Sequence, residues 1–215
     1  MNYLEGARKG LIEIIKGKGI HDQKVLDAIG KVERHLFLES FLWSRAYEDI
    51  ALPIHCDQTI SQPYTVAFQT QLLEVQKGDK ILEIGTGSGY QATILSAMGA
   101  KVYSIERHYE LYKRTKKLLE TIDHKIFLFY GDGYQGVPQY APYDKIIITC
   151  GAPNIPETLM DQLKVGGYMV VPVGEDTQVM KRVTKLENNE YKIEDFGYFV
   201  FVPMVGGTGD VSSLF

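Results

Sequence analysis

The run Lys80-Ile81-Leu82-Glu83-Ile84-Gly85-Thr86-Gly87-Ser88-Gly89 decides the fold. A short apolar strand ends in three glycines spaced one residue apart, which let the backbone turn sharply at the strand's carboxyl end. Residues 90–98 continue as a helix. Downstream the alternation repeats, with strands over 101–105, 125–130, 145–149 and 167–173 and helices over 108–121 and 155–163. Near-continuous apolar strands separated by helices predict a parallel sheet covered on both faces. Residues 179–186 and 191–202 then read as two strands joined by the turn Asn188-Asn189. The expected fold is α/β, a three-layer Rossmann-like sheet, mostly parallel, with an antiparallel C-terminal hairpin.

Upstream of the strand the chain reads as helical. Leu4, Ala7, Leu11, Ile14 and Ile15 recur at helical spacing, and Val25, Leu26, Ile29 and Val32 do so after the candidate cap Asp22. Residues 46–62 read as irregular. Pro63 suits the first turn of another helix, ahead of Val66, Ala67, Phe68, Leu72 and Leu73. One domain is expected in 215 residues, divided as N-terminal helices and a loop (1–62), the sheet core (63–205) and a loose tail (206–215).

Composition excludes several classes. A net charge of -4 gives no basic face for nucleic acid. Charged residues interrupt the N-terminus at Glu5, Arg8, Lys9, Glu13, Lys16 and Lys18, so neither a secretory signal nor a membrane span is expected. Cys56 and Cys150, without a CxxC or a histidine partner motif, argue against a disulfide framework and against a metal site. A reducing cytoplasm and a monomer are the expectations.

The glycine loop carries the first chemical signal. Its spacing is Glu-x-Gly-x-Gly-x-Gly, and Tyr90 stands where a dinucleotide fingerprint has its third glycine. A nicotinamide cofactor is therefore disfavoured. Glu83 opens the pattern, and the residues Gly85, Thr86, Gly87, Ser88 and Gly89 lie where a ligand backbone approach is possible. The second strand ends in Glu106, followed by Arg107, and both, with Glu83, are cofactor-binding candidates. A carboxylate there accepts from both hydroxyls of a ribose. The third strand runs into Gly131-Asp132-Gly133, where Asp132 suits an adenine amino group and Gly133 lets the loop lie close to the ring. All three loops leave the carboxyl ends of successive strands and converge on one crevice.

These residues resemble the protein-L-isoaspartate O-methyltransferases. The resemblance is carried by 81–92 around the glycine loop and, more specifically, by Gln58-Thr59-Ile60-Ser61-Gln62-Pro63-Tyr64. It is carried also by Gly131-Asp132-Gly133-Tyr134, by Val171-Pro172-Val173-Gly174 and by Phe201-Val202-Pro203-Met204, and it spans about 20–205. The resemblance implies a class I methyltransferase fold with an N-terminal lid. It implies S-adenosyl-L-methionine as cofactor, held by Gln58, Thr59, Ile60, the glycine loop, Glu106, Asp132 and Gly133. It further implies methylation of the α-carboxyl of L-isoaspartyl residues in damaged proteins and peptides. The ester then closes to a succinimide, whose hydrolysis restores some aspartate. The family's active-site serine falls on Ser61. Two departures stand out: His55 and Asp57 replace glycines that usually precede this motif, and are expected to narrow the acceptor pocket or alter its charge. Cys150 replaces a small residue.

The chemistry fits a serine without a base. An acceptor carboxylate, with a reference pKa near 4, is already ionised at neutral pH. Methyl transfer from a sulfonium neutralises charge and gains from positioning and exclusion of water. Ser61 then orients the carboxylate through a hydrogen bond, a role compatible with capping the helix at Pro63. His21, His35, His108 and His124 have no partner spacing, and the two cysteines read as small fillers. Trp43, Tyr47 and Tyr64 are candidates for a peptide groove, although aromatics beside helices usually pack into cores. Two alternatives remain: a methyltransferase for a different carboxylate or small molecule, and a non-catalytic cofactor-binding module.

Overall fold

The computed structural model describes residues 3–122 and 126–209. Helices α1 (Tyr3–Gly17) and α2 (Gln23–Lys31) open the chain, with Leu11, Ile15, Val25, Leu26 and Ile29 on their buried faces. Asp22 caps α2, its Oδ1 accepting from the Lys24 amide at 2.8 Å. Two 3-10 turns follow, Arg34–Phe37 and Ser40–Arg45. The segment read as irregular contains a small antiparallel ribbon, β1 (Leu52–Pro53) with β2 (Thr59–Ile60). Helix α3 (Pro63–Leu73) has its proline in the first turn, where the missing N–H costs nothing.

The sheet then forms from β3 (Lys80–Ile84), β4 (Lys101–Glu106), β5 (Ile126–Tyr130), β6 (Tyr143–Ile148), β7 (Leu163–Val173), β8 (Gln178–Lys185) and β9 (Tyr191–Phe199). Helices α4 (Tyr90–Ala97), α5 (Tyr109–Leu119) and α6 (Glu157–Asp161) connect the parallel strands. The strand order is β5-β4-β3-β6-β7-β8-β9, parallel through β7 and antiparallel thereafter. Ile81, Ile147 and Val170 face one side with Leu73 and Leu95; Leu82, Ile146 and Met169 face the other with Leu159. That alternation buries both faces and makes the three layers. The chain builds outward from β3 to β5, then returns to place β6 on the other side of β3. This reversal opens a crevice at the strands' carboxyl ends.

Several boundaries differ from the sequence reading. The helix expected over 155–163 is confined to α6, because Leu163 pairs with Tyr143 and already belongs to β7. A bulge between Tyr143 and Lys145 brings the strands close: a Cβ on Gly167 would lie 2.6 Å from the Asp144 carbonyl oxygen. The last strand ends at Phe199, and the chain then swings across the carboxyl ends of the sheet. There the Gly151 amide donates to the Val202 carbonyl at 2.8 Å and the Met204 amide to the Gly151 carbonyl at 2.7 Å. Gly206–Gly209 are not loose: the Gly209 amide donates to the Arg107 carbonyl at 2.7 Å and the Gly207 amide to Asp132 Oδ2 at 2.8 Å. Lys125, His124 and the rest of the tail lie outside the described residues. Among the described residues no helix is long and apolar enough to cross a membrane.

Candidate active site

The glycine loop after β3 forms one wall of a cavity of about 200 Å³. Gly85 and Gly87 take φ values of 91° and 52°, a region that favours glycine. A Cβ on Gly85 would stand 2.7 Å from the Thr149 hydroxyl. Glu106, at the end of β4, lines the cavity although only 4% exposed. Its Oε2 accepts from the Gly87 amide and its Oε1 from the His108 amide, both at 2.8 Å. The carboxylate is thus fixed between two loops with its remaining lone pairs at the cavity wall.

Beneath the loop runs a buried chain. The Thr86 and Ser104 hydroxyls are 2.6 Å apart, and Ser104 donates to Glu83 Oε2. Glu83 is fully buried, and its Oε1 has no hydrogen-bond partner among the described residues. Burial pushes its carboxyl up to about 8, with the nearby Glu106 charge adding, so it is largely protonated at neutral pH.

The structure brings most of the expected residues to this cavity: 58–61 from β2 and its flanks, 85–88, Glu106, Arg107 and Gly133. Three others lie elsewhere. Glu83 points into the core, and its side chain is linked to the loop through Ser104 and Thr86. Gly89 precedes α4 at φ 87°, and a Cβ there would lie 2.8 Å from Thr115 Cγ2. Its glycine serves the contact between α4 and α5. Asp132 spends its carboxylate on the backbone, Oδ1 accepting from the Tyr134 amide at 2.9 Å and Oδ2 from Gly207. Arg107 likewise turns to the tail, donating from Nε to the Gly207 carbonyl at 3.1 Å. Cavity residues not assigned to the site from the sequence include Thr149, Cys150 and 202–205. The Phe201-Val202-Pro203-Met204 run was the available signal for the last group. Burial pushes the Cys150 thiol up to about 12, so it is a protonated wall residue.

A second, open groove of about 790 Å³ adjoins the cavity and shares Thr59, Ser61, Thr149 and Val202 with it. Lys18, Tyr64, Tyr198 and Val200 line its outer part. Ser61 stands where the two spaces meet, and its hydroxyl makes no hydrogen bond to another described residue. It is not the cap of α3. Gln62 occupies that position, and Asp49 supplies the cap, its Oδ1 accepting from the Tyr64 amide at 2.8 Å.

His55 and Asp57 line neither space, contrary to expectation. The His55 ring faces away, its Nε2 2.6 Å from Glu39 Oε1 and 2.9 Å from Arg114 Nη1. Cys56 and Asp57 adopt left-handed backbone, φ 60° and 54°, to turn the ribbon between β1 and β2. Tyr64 does line the groove. Trp43 and Tyr47 instead pack around His35, with ring centroids 5.1 Å and 5.9 Å away.

A doubly wound sheet whose crevice presents a glycine loop and a strand-end carboxylate, joined to an open groove, defines a Rossmann-like methyltransferase. A family model for protein-L-isoaspartate(D-aspartate) O-methyltransferase matches residues 6–209. A protein-L-isoaspartate O-methyltransferase of Christiangramia forsetii is 55% identical over 202 residues, covering 94% of this chain and 95% of that protein. The Flavobacterium psychrophilum enzyme of the same name is 52% identical with the same coverage. A solved protein-L-isoaspartate O-methyltransferase superposes with a TM-score of 0.85 at 31% identity, covering 93% of this chain and 66% of that one. A Plasmodium falciparum structure, solved with S-adenosyl-L-homocysteine, shares the fold at TM-score 0.81 and 23% identity, covering 95% and 99%. The chain belongs to the protein-L-isoaspartate(D-aspartate) O-methyltransferase family.

Proposed function

We infer that this chain transfers a methyl group from S-adenosyl-L-methionine to the α-carboxyl of L-isoaspartyl residues in damaged proteins and peptides, with Ser61 orienting the acceptor. The observation that carries this reading is the position of Ser61 at the junction of the cavity beside the glycine loop and the adjoining groove, both of which it lines. The cavity residues fit the cofactor: Glu106 presents fixed acceptors for ribose hydroxyls, Gly133 packs against Ile84 and brings its loop to the cavity wall, and 58–61 line the same cavity as the glycine loop. S-adenosyl-L-methionine supplies an activated methyl on a sulfonium cation. Ser61 donates to one acceptor oxygen and leaves another to receive the methyl. Residues 58–61 and Val202 line the cavity, and the water that bound ligands displace there favours a transfer that neutralises charge. No base is required of the chain, because the acceptor arrives ionised.

Glu83, Gly89 and Asp132 act in this reading as supports of the loops around the cofactor, and 1–62 act as the lid and acceptor loop of the 63–205 core. The tight cluster joining Tyr90 and Ile94 to the N-terminal helices supports that division as parts of one unit. The free thiols of Cys56 and Cys150 support a cytoplasmic compartment, and we retain the expectation of a monomer without nucleic-acid or membrane partners. With His55 and Asp57 turned from the groove, nothing favours a different acceptor. Methyl transfer to a synthetic isoaspartyl peptide, with the aspartyl peptide as control, tests the reading. Transfer to the isoaspartyl peptide alone is expected; equal transfer to both, or to neither, refutes it.

A further inference from the structure

Asp49, in the segment between the second 3-10 turn and β1, is the hub of the region around Ser61. Its Oδ1 caps α3 through the Tyr64 amide at 2.8 Å. Its Oδ2 takes the Lys18 ammonium at 2.6 Å and the Gln62 side-chain amide at 3.1 Å. The Asp49 carbonyl accepts from the same Gln62 amide at 3.0 Å. The Asp49 side chain is only 7% exposed. The next carbonyl, that of Ile50, accepts from Nη2 of Arg34 at 3.2 Å, and the Arg34 guanidinium is itself buried, 5.0 Å over the Tyr90 ring. Asp49 is therefore anchored in the core on one side and grips residues 62 and 64 on the other.

Ser61 immediately precedes this grip. With no side-chain hydrogen bond to another described residue, its hydroxyl is aimed by the backbone, and Asp49 holds the residues that follow it, through the Gln62 side chain and the Tyr64 amide. An anion at the N-terminus of α3 is also favoured by the helix dipole. Lys18 completes the arrangement. It lines the acceptor groove and lies 5.5 Å over the Tyr64 ring, and its pairing with Asp49 keeps a cation in the groove from drawing an acceptor carboxylate away from Ser61.

We propose that Asp49, with Lys18 as its counter-ion, is a positioning residue for Ser61, setting the direction in which the hydroxyl meets the acceptor. This role rests on the Ser61 reading above. The test measures isoaspartyl-peptide turnover by the full chain as wild type, Ser61→Ala, Asp49→Asn and the double variant, well below each melting temperature. Asp49→Asn is expected to lower kcat about tenfold or more, since small misplacements act on geometry. The peptide KM should not rise, because the released Lys18 still attracts the carboxylate, and calorimetric affinity for S-adenosyl-L-methionine should stay within about twofold. In the Ser61→Ala background the same change should cost less than about twofold, because nothing remains to be positioned. Losses that multiply in the double variant overturn the positioning role, as does an Asp49→Asn enzyme with unchanged kcat. Should Asp49→Asn fail to fold, Lys18→Met keeps the cap and removes a half-exposed partner; it is expected to lower kcat by a smaller factor, again less in the Ser61→Ala background, and an unchanged kcat overturns the role. A Ser61→Ala enzyme as fast as wild type refutes the Ser61 reading and this role with it, whereas a slow Ser61→Ala enzyme with multiplying losses refutes the positioning role alone.

Discussion

Replacing Glu106 by alanine isolates the carboxylate at the heart of the cavity. In the structure each oxygen accepts one backbone amide at 2.8 Å, so the group is oriented before any ligand arrives. Its remaining lone pairs at the cavity wall are the acceptors assigned to ribose. A hydrogen bond to a charged acceptor is worth roughly 1.5–3 kcal/mol net, which converts to a roughly tenfold to hundredfold rise in Kd for the loss of one such contact. Glu106→Gln keeps one acceptor and should lose less. Isothermal titration calorimetry with S-adenosyl-L-methionine and S-adenosyl-L-homocysteine, with a melting curve on each variant, measures the effect. Both ligands carry the ribose, but only the first carries the sulfonium charge, so both should weaken alike. Unchanged affinity makes Glu106 a loop support only. Weakening confined to S-adenosyl-L-methionine means that the carboxylate acts through charge and refutes the ribose assignment.

Two further perturbations address residues that the structure moved out of the cavity. Glu83 has its carboxyl raised from an ordinary 4.5 to about 8, so the folded chain holds a proton that the unfolded chain loses in between. Stability from this group is therefore full below pH 4.5 and declines as pH rises towards 8; Glu83→Gln should flatten that decline, and differential scanning calorimetry at pH 5 and pH 8 giving the same gap between variant and wild type refutes the burial argument. Gly89→Ala should lower stability by roughly 1–3 kcal/mol through its positive φ and the collision with Thr115, seen as a melting temperature several degrees lower; a variant that melts like wild type means α5 yields freely.

The fold was legible because its signals are local. Apolar runs of strand length, helices between them and a glycine loop after β3 depend on residues a few positions apart, and the parallel order with a hairpin end follows from them. Glu106 was legible for the same reason: a carboxylate at the last residue of a strand beside a glycine loop has few places to point. The expected residues that do not line the cavity belong to the same motifs and differ only in direction. Glu83 sits one residue before the strand's end, where the pleat turns it into the core, and Gly89 already belongs to the packing of α4 on α5. Tertiary structure alone decided the rest. That Asp49 caps a helix beginning 14 residues later, that Lys18 of the first turn after α1 faces the acceptor groove, and that 202–205 fold back as a cavity wall all require contacts between segments far apart in sequence. Periodicity records which face of an element is buried; it does not record which distant partner buries it, because that choice is made by the joint packing of the whole chain.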